Sequence, residues 1–464
     1  KNFKIIRNFS VFYFNITVLL ISSTNIGISK DASLYHLQNQ AWIRDEKIVF
    51  GLSNLNPYIG YSSIMEYINS LFWMSNNYIF VHLVSLIVFG SLFEIVFKLI
   101  NASSSYLNNL GYIFLVVGFF DNIGFAGGRN GFIFIQETFK YDHIFAVISL
   151  AIILLFFILI KSKDDKSGLN LLFLCIVFGL QIRFIGHLFF GLVITLLFVN
   201  KYKIDFKKNI YLFVFYVLFS LKNLLISSCL WFPVKYTCLN FLPWNQPYQA
   251  EYISKLILNT NKLPNSSATD IINFNLFIKQ FFNSQSSYIL NFCLTISFLL
   301  LIFIFFSKKI NLNYQQIFLF ALIIFTWINL GPTYRFGVPF LLTSYYVLTY
   351  NAAFETRITS VFLKRKILPI LAYFLVIVSL LRIDSIIELQ NFNNINLSVE
   401  EKELVFYEDE NGWNRHQTES GNYLCSDYRF CSILNNSFQS KIPFLNYRYY
   451  ESLDKNYYKN ILQK

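Results

Sequence analysis

The sequence predicts an all-α integral membrane protein with about eleven transmembrane helices, and three observations lead there. Hydrophobic residues make up 55% of the 464 residues and charged residues 14%, whereas a soluble domain carries about a quarter charged. Apolar runs near the length that crosses a ~30 Å hydrocarbon core recur along the whole chain. Lys and Arg gather in short loops between these runs, and every cluster can be placed on one side of a bilayer.

The apolar runs are 9–23, 78–99, 110–121, 143–160, 169–182, 184–199, 210–228, 287–306, 315–330, 337–353 and 367–381. The sequence begins at Lys1, and the first run, lacking a small-residue cleavage site, reads as a membrane helix and not as a signal peptide. The basic clusters are Lys1/Lys4/Arg7, Lys161/Lys163/Lys166, Lys201/Lys203/Lys207/Lys208, Lys308/Lys309 and Arg357/Lys364/Arg365/Lys366. Placing all of them in the cytoplasm needs the alternation that eleven helices supply. The loops 24–77, 122–142 and 229–286 then lie outside, as does the tail. The chain divides into a transmembrane part, 1–382, and a small extracytoplasmic C-terminal tail, 383–464, which reads as a cap and not as a domain with a large core. The net charge of +12 is absorbed by this orientation. No basic stripe is interleaved with exposed aromatics, so nucleic acid is not an expected partner.

The tail holds Cys425 and Cys431. An oxidising compartment permits a disulfide there, which is the favoured reading over two free thiols. Cys229 and Cys238 flank the outer end of a helix and are a second possible pair. Cys175 and Cys293 sit in apolar runs and read as small hydrophobes.

The segment from Ser29 to Ser63 follows the first helix. As a helix from Lys30 it sets Asp31, Tyr35, Gln38 and Trp42 on one face and Leu34, Leu37 and Ala41 on another. An amphipathic interfacial helix fits that mixture, with Asp31 either a functional carboxylate or a residue that complements the helix dipole. Asp142 opens the run 143–160 and is likewise a cap or a catalytic group. Arg183 stands at a tight outer turn near His187, and Arg335 lies between two later helices in Gly331–Gly337. An arginine beside hydrocarbon needs a partner, a wet cavity or a lipid phosphate. Two of them suit a phosphate group gripped bidentately, or serve as snorkelling anchors. No P-loop, dinucleotide fingerprint, G-x-S-x-G or HExxH occurs.

Asp31 to Ile43, with Leu34-Tyr35-His36-Leu37-Gln38, then Gly51-Leu52-Ser53-Asn54-Leu55, Lys222-Asn223 through Ser227-Ser228 to Pro233, and Pro332-Thr333-Tyr334-Arg335-Phe336 resemble a family of bacterial integral membrane proteins with the architecture of GT-C membrane glycosyltransferases. Cys425 and Cys431 match its C-terminal cysteine pair. Lys222 stands where that pattern has Arg, and Ser228 where it has Gly. The resemblance implies sugar transfer at the outer face of a bacterial inner membrane. The donor is a polyprenyl-phosphate-linked sugar and the acceptor an envelope glycan, lipid or protein. Asp31 is then the catalytic carboxylate, acting as general base or helping to hold a divalent metal; Asp142, by its place at the outer mouth of its run, is a second catalytic candidate. Arg335, Arg183, Tyr35, His36, Gln38 and Tyr334 are expected to bind substrate. A polysaccharide polymerase or ligase is the alternative enzyme. A transporter or flippase of lipid-linked glycans is the alternative of another class, with Glu94 as its intramembrane charge.

Overall fold

The computed structural model describes residues 27–28, 31–46, 48–61, 63–73, 79–101, 137–138, 141–161, 166–198, 206–263, 266–272, 275–277, 279, 325, 405–408, 414–417, 438–444, 447–452 and 454–463. Within these the chain is predominantly α-helical. Five of the expected apolar runs are helices: α4 (Ile79–Ile100), α5 (Tyr141–Lys161), α6 (Lys166–Ile182), α7 (Phe190–Phe198, entered through a 3-10 turn at Phe184–Phe189) and α8 (Phe206–Ser227). By length and composition, Phe80–Leu99 and Asn209–Ser227 are the two described helices that suit a membrane crossing, and Ile144–Phe156, Gly168–Ile182 and Phe184–Ile194 are apolar but shorter. The other six runs lie outside the described residues, apart from Phe325. Tyr334, Arg335, Cys425 and Cys431 lie outside them as well.

Helix α8 keeps an apolar stripe exposed. Ile210, Phe213, Val214 and Leu218 are all about half exposed or more. In water such a contiguous apolar stripe marks an unmet partner; in lipid it needs none.

Next to these helices lies a polar layer made of short helices. A π-type turn (Ala32–His36) leads into α1 (Leu37–Asp45), followed by α2 (Leu52–Leu55), a 3-10 turn (Pro57–Tyr61) and α3 (Ile64–Leu71). Further on comes α9 (Gln249–Lys262), and near the C-terminus α10 (Tyr457–Leu462). The expected amphipathic helix lying flat at an interface is corrected here. Residues Leu37 to Trp42 are buried without exception. Leu37 and Ala41 pack with Trp73 and Val81, while Trp42 packs with Leu52, Leu55, Ile59 and Tyr450. Each fully buried large side chain is worth roughly 1.5–3 kcal/mol, so both faces of α1 are core.

Strands are short. β1 (Gly27–Ile28) pairs in parallel with β2 (Glu137–Thr138). In the tail, β3 (Val405–Glu408) pairs with β4 (Asn414–Gln417), and β5 (Phe438–Phe444) with β6 (Tyr447–Ser452), both antiparallel. The end of the tail is part of the polar layer. Tyr450 N–H donates to the Phe50 carbonyl at 3.1 Å, and Asn54 Nδ2 donates to the Tyr450 carbonyl at 2.8 Å. Gln249 Nε2 donates to the Tyr458 hydroxyl at 3.3 Å, and Lys455 Nζ to the Asn245 carbonyl at 3.0 Å. The first loop, the loop after α8 and the tail are therefore on the same side of the helices.

A disulfide joins Cys229 to Cys238, so the less favoured of the two possible pairs is the one formed among the described residues. It closes the loop that carries Phe232 to Tyr236. Cross-linking a loop of this size restricts the unfolded chain by about 2–3 kcal/mol. Replacing both cysteines by Ser should lower the Tm measurably, and both thiols of the unreduced native protein should resist alkylation. Free alkylation would show that the bond is not formed.

Candidate functional site

The parallel pair of β1 and β2 explains why two distant helix starts meet. Gly27 aligns with Glu137 and Ile28 with Thr138. Asp31 follows three residues after Ile28, and Asp142 four residues after Thr138, so both carboxylates arrive together. They line one cavity of about 580 Å³ together with Tyr35, His36, Glu66 and Arg183. That volume is in the range of ligand-binding clefts.

Asp31 stands at the N-cap of the π-type turn and makes no capping hydrogen bond. Its carboxylate has no hydrogen-bond or ion-pair partner among the described residues. Asp142, by contrast, is buried in the first turn of α5 and takes the Arg183 guanidinium, Nη2 to Oδ1, at 2.5 Å. Burial alone would weaken the Arg183 charge, but Asp142, then Tyr35 and Asp31, outweigh it and hold the guanidinium protonated. Gly186 allows this turn to sit tightly. A Cβ there would come within 2.8 Å of the Gly179 carbonyl oxygen.

The π-type turn sets which side chains face the cavity. Its wider i→i+5 bonding, closed by Leu37 N–H to the Ala32 carbonyl, shifts the phase expected for a regular helix. Tyr35 and His36 line the cavity, while Gln38 does not. Gln38 is fully buried and its Oε1 accepts from Asn56 Nδ2 at 3.0 Å. It therefore supports the loop and, unlike the other described residues expected to bind substrate, does not line the cavity.

Glu66, which the sequence reading passed over, is central. Ser63 caps α3 by accepting from Met65 N–H at 3.2 Å, and Glu66 lies in the first turn, where the helix dipole favours a carboxylate. It is 1% exposed. Its Oε1 meets His36 Nδ1 at 2.5 Å, and its Oε2 accepts from Gln40 Nε2 and from the Tyr141 hydroxyl, both at 2.8 Å. Asn69 Nδ2 donates to the Tyr141 hydroxyl at 3.1 Å. The sequence signal was faint: a Ser-x-x-Glu pattern reads simply as a capping box.

An aromatic wall completes the cavity. Tyr35 stacks on Tyr58 at 5.7 Å, Tyr58 lies 6.2 Å from Tyr61, and Tyr61 meets Phe232 edge-on at 5.7 Å. Among the described residues the buried Tyr61 hydroxyl and Arg183 Nε have no hydrogen-bond partner. Burial, then Asp31, holds the Tyr35 phenol well above its ordinary 10.0, and burial, then Tyr58, does so for Tyr61. Phenols raised in the folded state stabilise it fully below their unfolded value and cease to do so as pH rises past it. Stability should hold to about pH 10 and fall steeply above it, with phenolate absorbance rising together with unfolding. Early, independent ionisation of these phenols would contradict their burial.

At the outer rim Glu251 of α9 bridges Lys235 and Lys255, at 3.2 and 3.0 Å. These are half-exposed pairs of small energetic weight. Glu94 pairs with Lys98 at 3.1 Å one helical turn away, so it is not an isolated intramembrane charge. Among the described residues no group of three or more His, Cys, Asp or Glu is placed to hold a metal. Asp31 and Asp142 supply two carboxylates, and Arg183 already occupies one. The described residues do not fit a protein-held metal, and no step below uses one.

The geometry is that of a helical protein with a charged, aromatic-walled cavity beside apolar helices, two of which are long and apolar enough, by length and composition, to cross a membrane. The chain belongs to the family described as domain of unknown function DUF8201, whose model matches residues 1–342. No curated protein and no solved structure matches the chain.

Proposed function

We propose that the protein is a membrane glycosyltransferase of GT-C type, with eleven spans and its polar layer on the outer face of a bacterial inner membrane. It moves a sugar from a polyprenyl-phosphate donor to an envelope glycan, lipid or protein. The observation that carries this reading is the Asp31 carboxylate, unpartnered among the described residues, in the same cavity as the Asp142–Arg183 pair. Asp31 takes the proton of the acceptor hydroxyl as that oxygen attacks the anomeric carbon. The bond from that carbon to the phosphate oxygen breaks, and Arg183, aimed by Asp142, meets the charge that builds on the phosphate. The Asp142 role is thus one of positioning. The phenols of Tyr35 and Tyr61 and the ring of Phe232 offer the mixture of hydroxyls and flat apolar faces that sugars require. The disulfide between Cys229 and Cys238 accords with an oxidising compartment on that side.

The test is transfer by the purified protein in liposomes, using radiolabelled polyprenyl-phosphate sugars and lipid-linked glycan acceptors. The expected result is label moving to the acceptor. Elongation of polyprenyl-diphosphate oligosaccharides with no use of the monophosphate donor would replace this reading with a polymerase. Movement of lipid-linked glycan across the bilayer without any transfer would replace it with a flippase.

A further inference from the structure

We infer that His36, held by Glu66, is a proton donor to the leaving phosphate of this reaction; the inference rests on the transferase reading and adds an acid to its base. Five observations lead to it. His36 is 3% exposed and lines the cavity that holds Asp31 and Arg183. Its Nδ1 lies 2.5 Å from Glu66 Oε1. Its Nε2 has no hydrogen-bond partner among the described residues. The ring is held between two others, 4.0 Å from Tyr35 and 4.5 Å, edge-on, from Tyr141. Glu66 is itself immobilised through its second oxygen by Gln40 and Tyr141.

A carboxylate on one ring nitrogen orients the imidazole, fixes its tautomer and balances the charge of the imidazolium. That is a costly arrangement to bury if it only fills space, because a buried carboxylate must be fully satisfied. Here each satisfied contact converges on the single ring nitrogen that is left open. Charged and titratable groups that share the cavity with His36 are Glu66 on α3, Tyr141 and Asp142 on α5, Asp31 and Tyr35 on its own segment, Tyr61, Arg183 at the end of α6, and Lys235, Glu251 and Lys255 at the rim, while Lys222 of α8 acts on Glu66 from behind.

The step balances. The acceptor O–H proton goes to Asp31, the new bond forms between acceptor oxygen and anomeric carbon, and the old carbon–oxygen bond breaks with its electron pair on phosphate. The Nε2 proton of His36 moves to that phosphate, so polyprenyl phosphate departs as its monoanion. Water then returns a proton to His36 and removes one from Asp31. A phosphate monoester has its second ionisation near pH ~6, so the departing phosphate is basic enough to accept a proton.

The experiment measures the pH profile of kcat and KM for wild type, H36Q and E66Q with a monophosphate-linked donor. Wild-type kcat should decline on the alkaline side, where imidazole loses its proton. H36Q should lose about 100-fold or more in kcat, keep KM within about threefold and lack that alkaline decline. E66Q should fall between the two, because it leaves the acid in place but unaligned. A folded H36Q with wild-type kcat, or one that keeps the alkaline decline, overturns the inference while leaving the transferase intact. If neither variant folds, a wild-type profile without an alkaline decline overturns it equally. A wild-type protein with no transfer from any donor removes the transferase reading and takes this inference with it.

Discussion

Asp31→Asn is expected to leave the protein folded and to lower sugar transfer by about 100-fold or more, the usual contribution of a positioned general base. Asn keeps the size and the polar character of Asp, and the native side chain makes no capping hydrogen bond that the change would remove. No partner among the described residues is orphaned either. What disappears is the negative oxygen facing the cavity shared with Arg183 and His36. The defect should lie in kcat, since the proton is taken only as the new bond forms. Asp142→Asn should behave differently. It strips the counter-charge from Arg183 and should cost stability as well as activity, on the order of 3 kcal/mol for a broken, largely buried pair. Thermal unfolding beside the transfer assay separates the two. An Asp31→Asn protein that transfers at the wild-type rate would remove Asp31 from the chemistry.

Gly51→Ala should be the most damaging of the conservative changes away from the cavity. Gly51 has φ +69°, where a Cβ is disfavoured, and its N–H donates to the Leu225 carbonyl at 2.9 Å. A Cβ at this position would lie 2.6 Å from the Tyr450 carbonyl oxygen and 2.7 Å from Trp244 Cβ. Backbone strain contributes about 1–2 kcal/mol and overpacking about 1–3 kcal/mol more. The total, about 2–5 kcal/mol, is a large part of a typical domain's stability. Three remote segments touch at this glycine: the end of α8, the loop before α9 and strand β6. The measurement is Tm in detergent, with proteolysis of the C-terminal segment as a second readout. An unchanged Tm would mean that the tail does not press on Gly51.

Ser228 shows how local pattern and tertiary demand diverge. The pattern its segment resembles has Gly there, and Ser228 takes φ +62°, the region glycine favours. The Ser228 hydroxyl donates to Asn245 Oδ1 at 2.7 Å, which offsets part of the strain. The bond joins the end of α8 to the loop that precedes α9, a contact no glycine could make.

The sequence alone determined what depends on neighbours along the chain. Five apolar runs are the helices α4 to α8, because a long apolar segment hides its backbone polar groups by bonding them to one another. Asp31, Asp142 and Arg183 stood out because ionisable side chains beside such runs are costly without a purpose. Only the tertiary structure decided which of them meet. Two residues of parallel pairing bring Asp31 to Asp142, across more than a hundred residues. A π-type turn sends Gln38 into the core and leaves Tyr35 and His36 on the cavity, a change of phase to which helical periodicity is blind. Glu66 looked like an ordinary first-turn residue until α1 packed on α3 and brought His36 and Gln40 to its two oxygens. Tyr450, from a tail that read as a mere cap, is in the same core as Trp42. Hydropathy and helix signals are short-range and survive in any context. A cavity is made by surfaces that meet only after folding, and their meeting is set by packing and by the satisfaction of buried polar groups, which no window along the sequence contains.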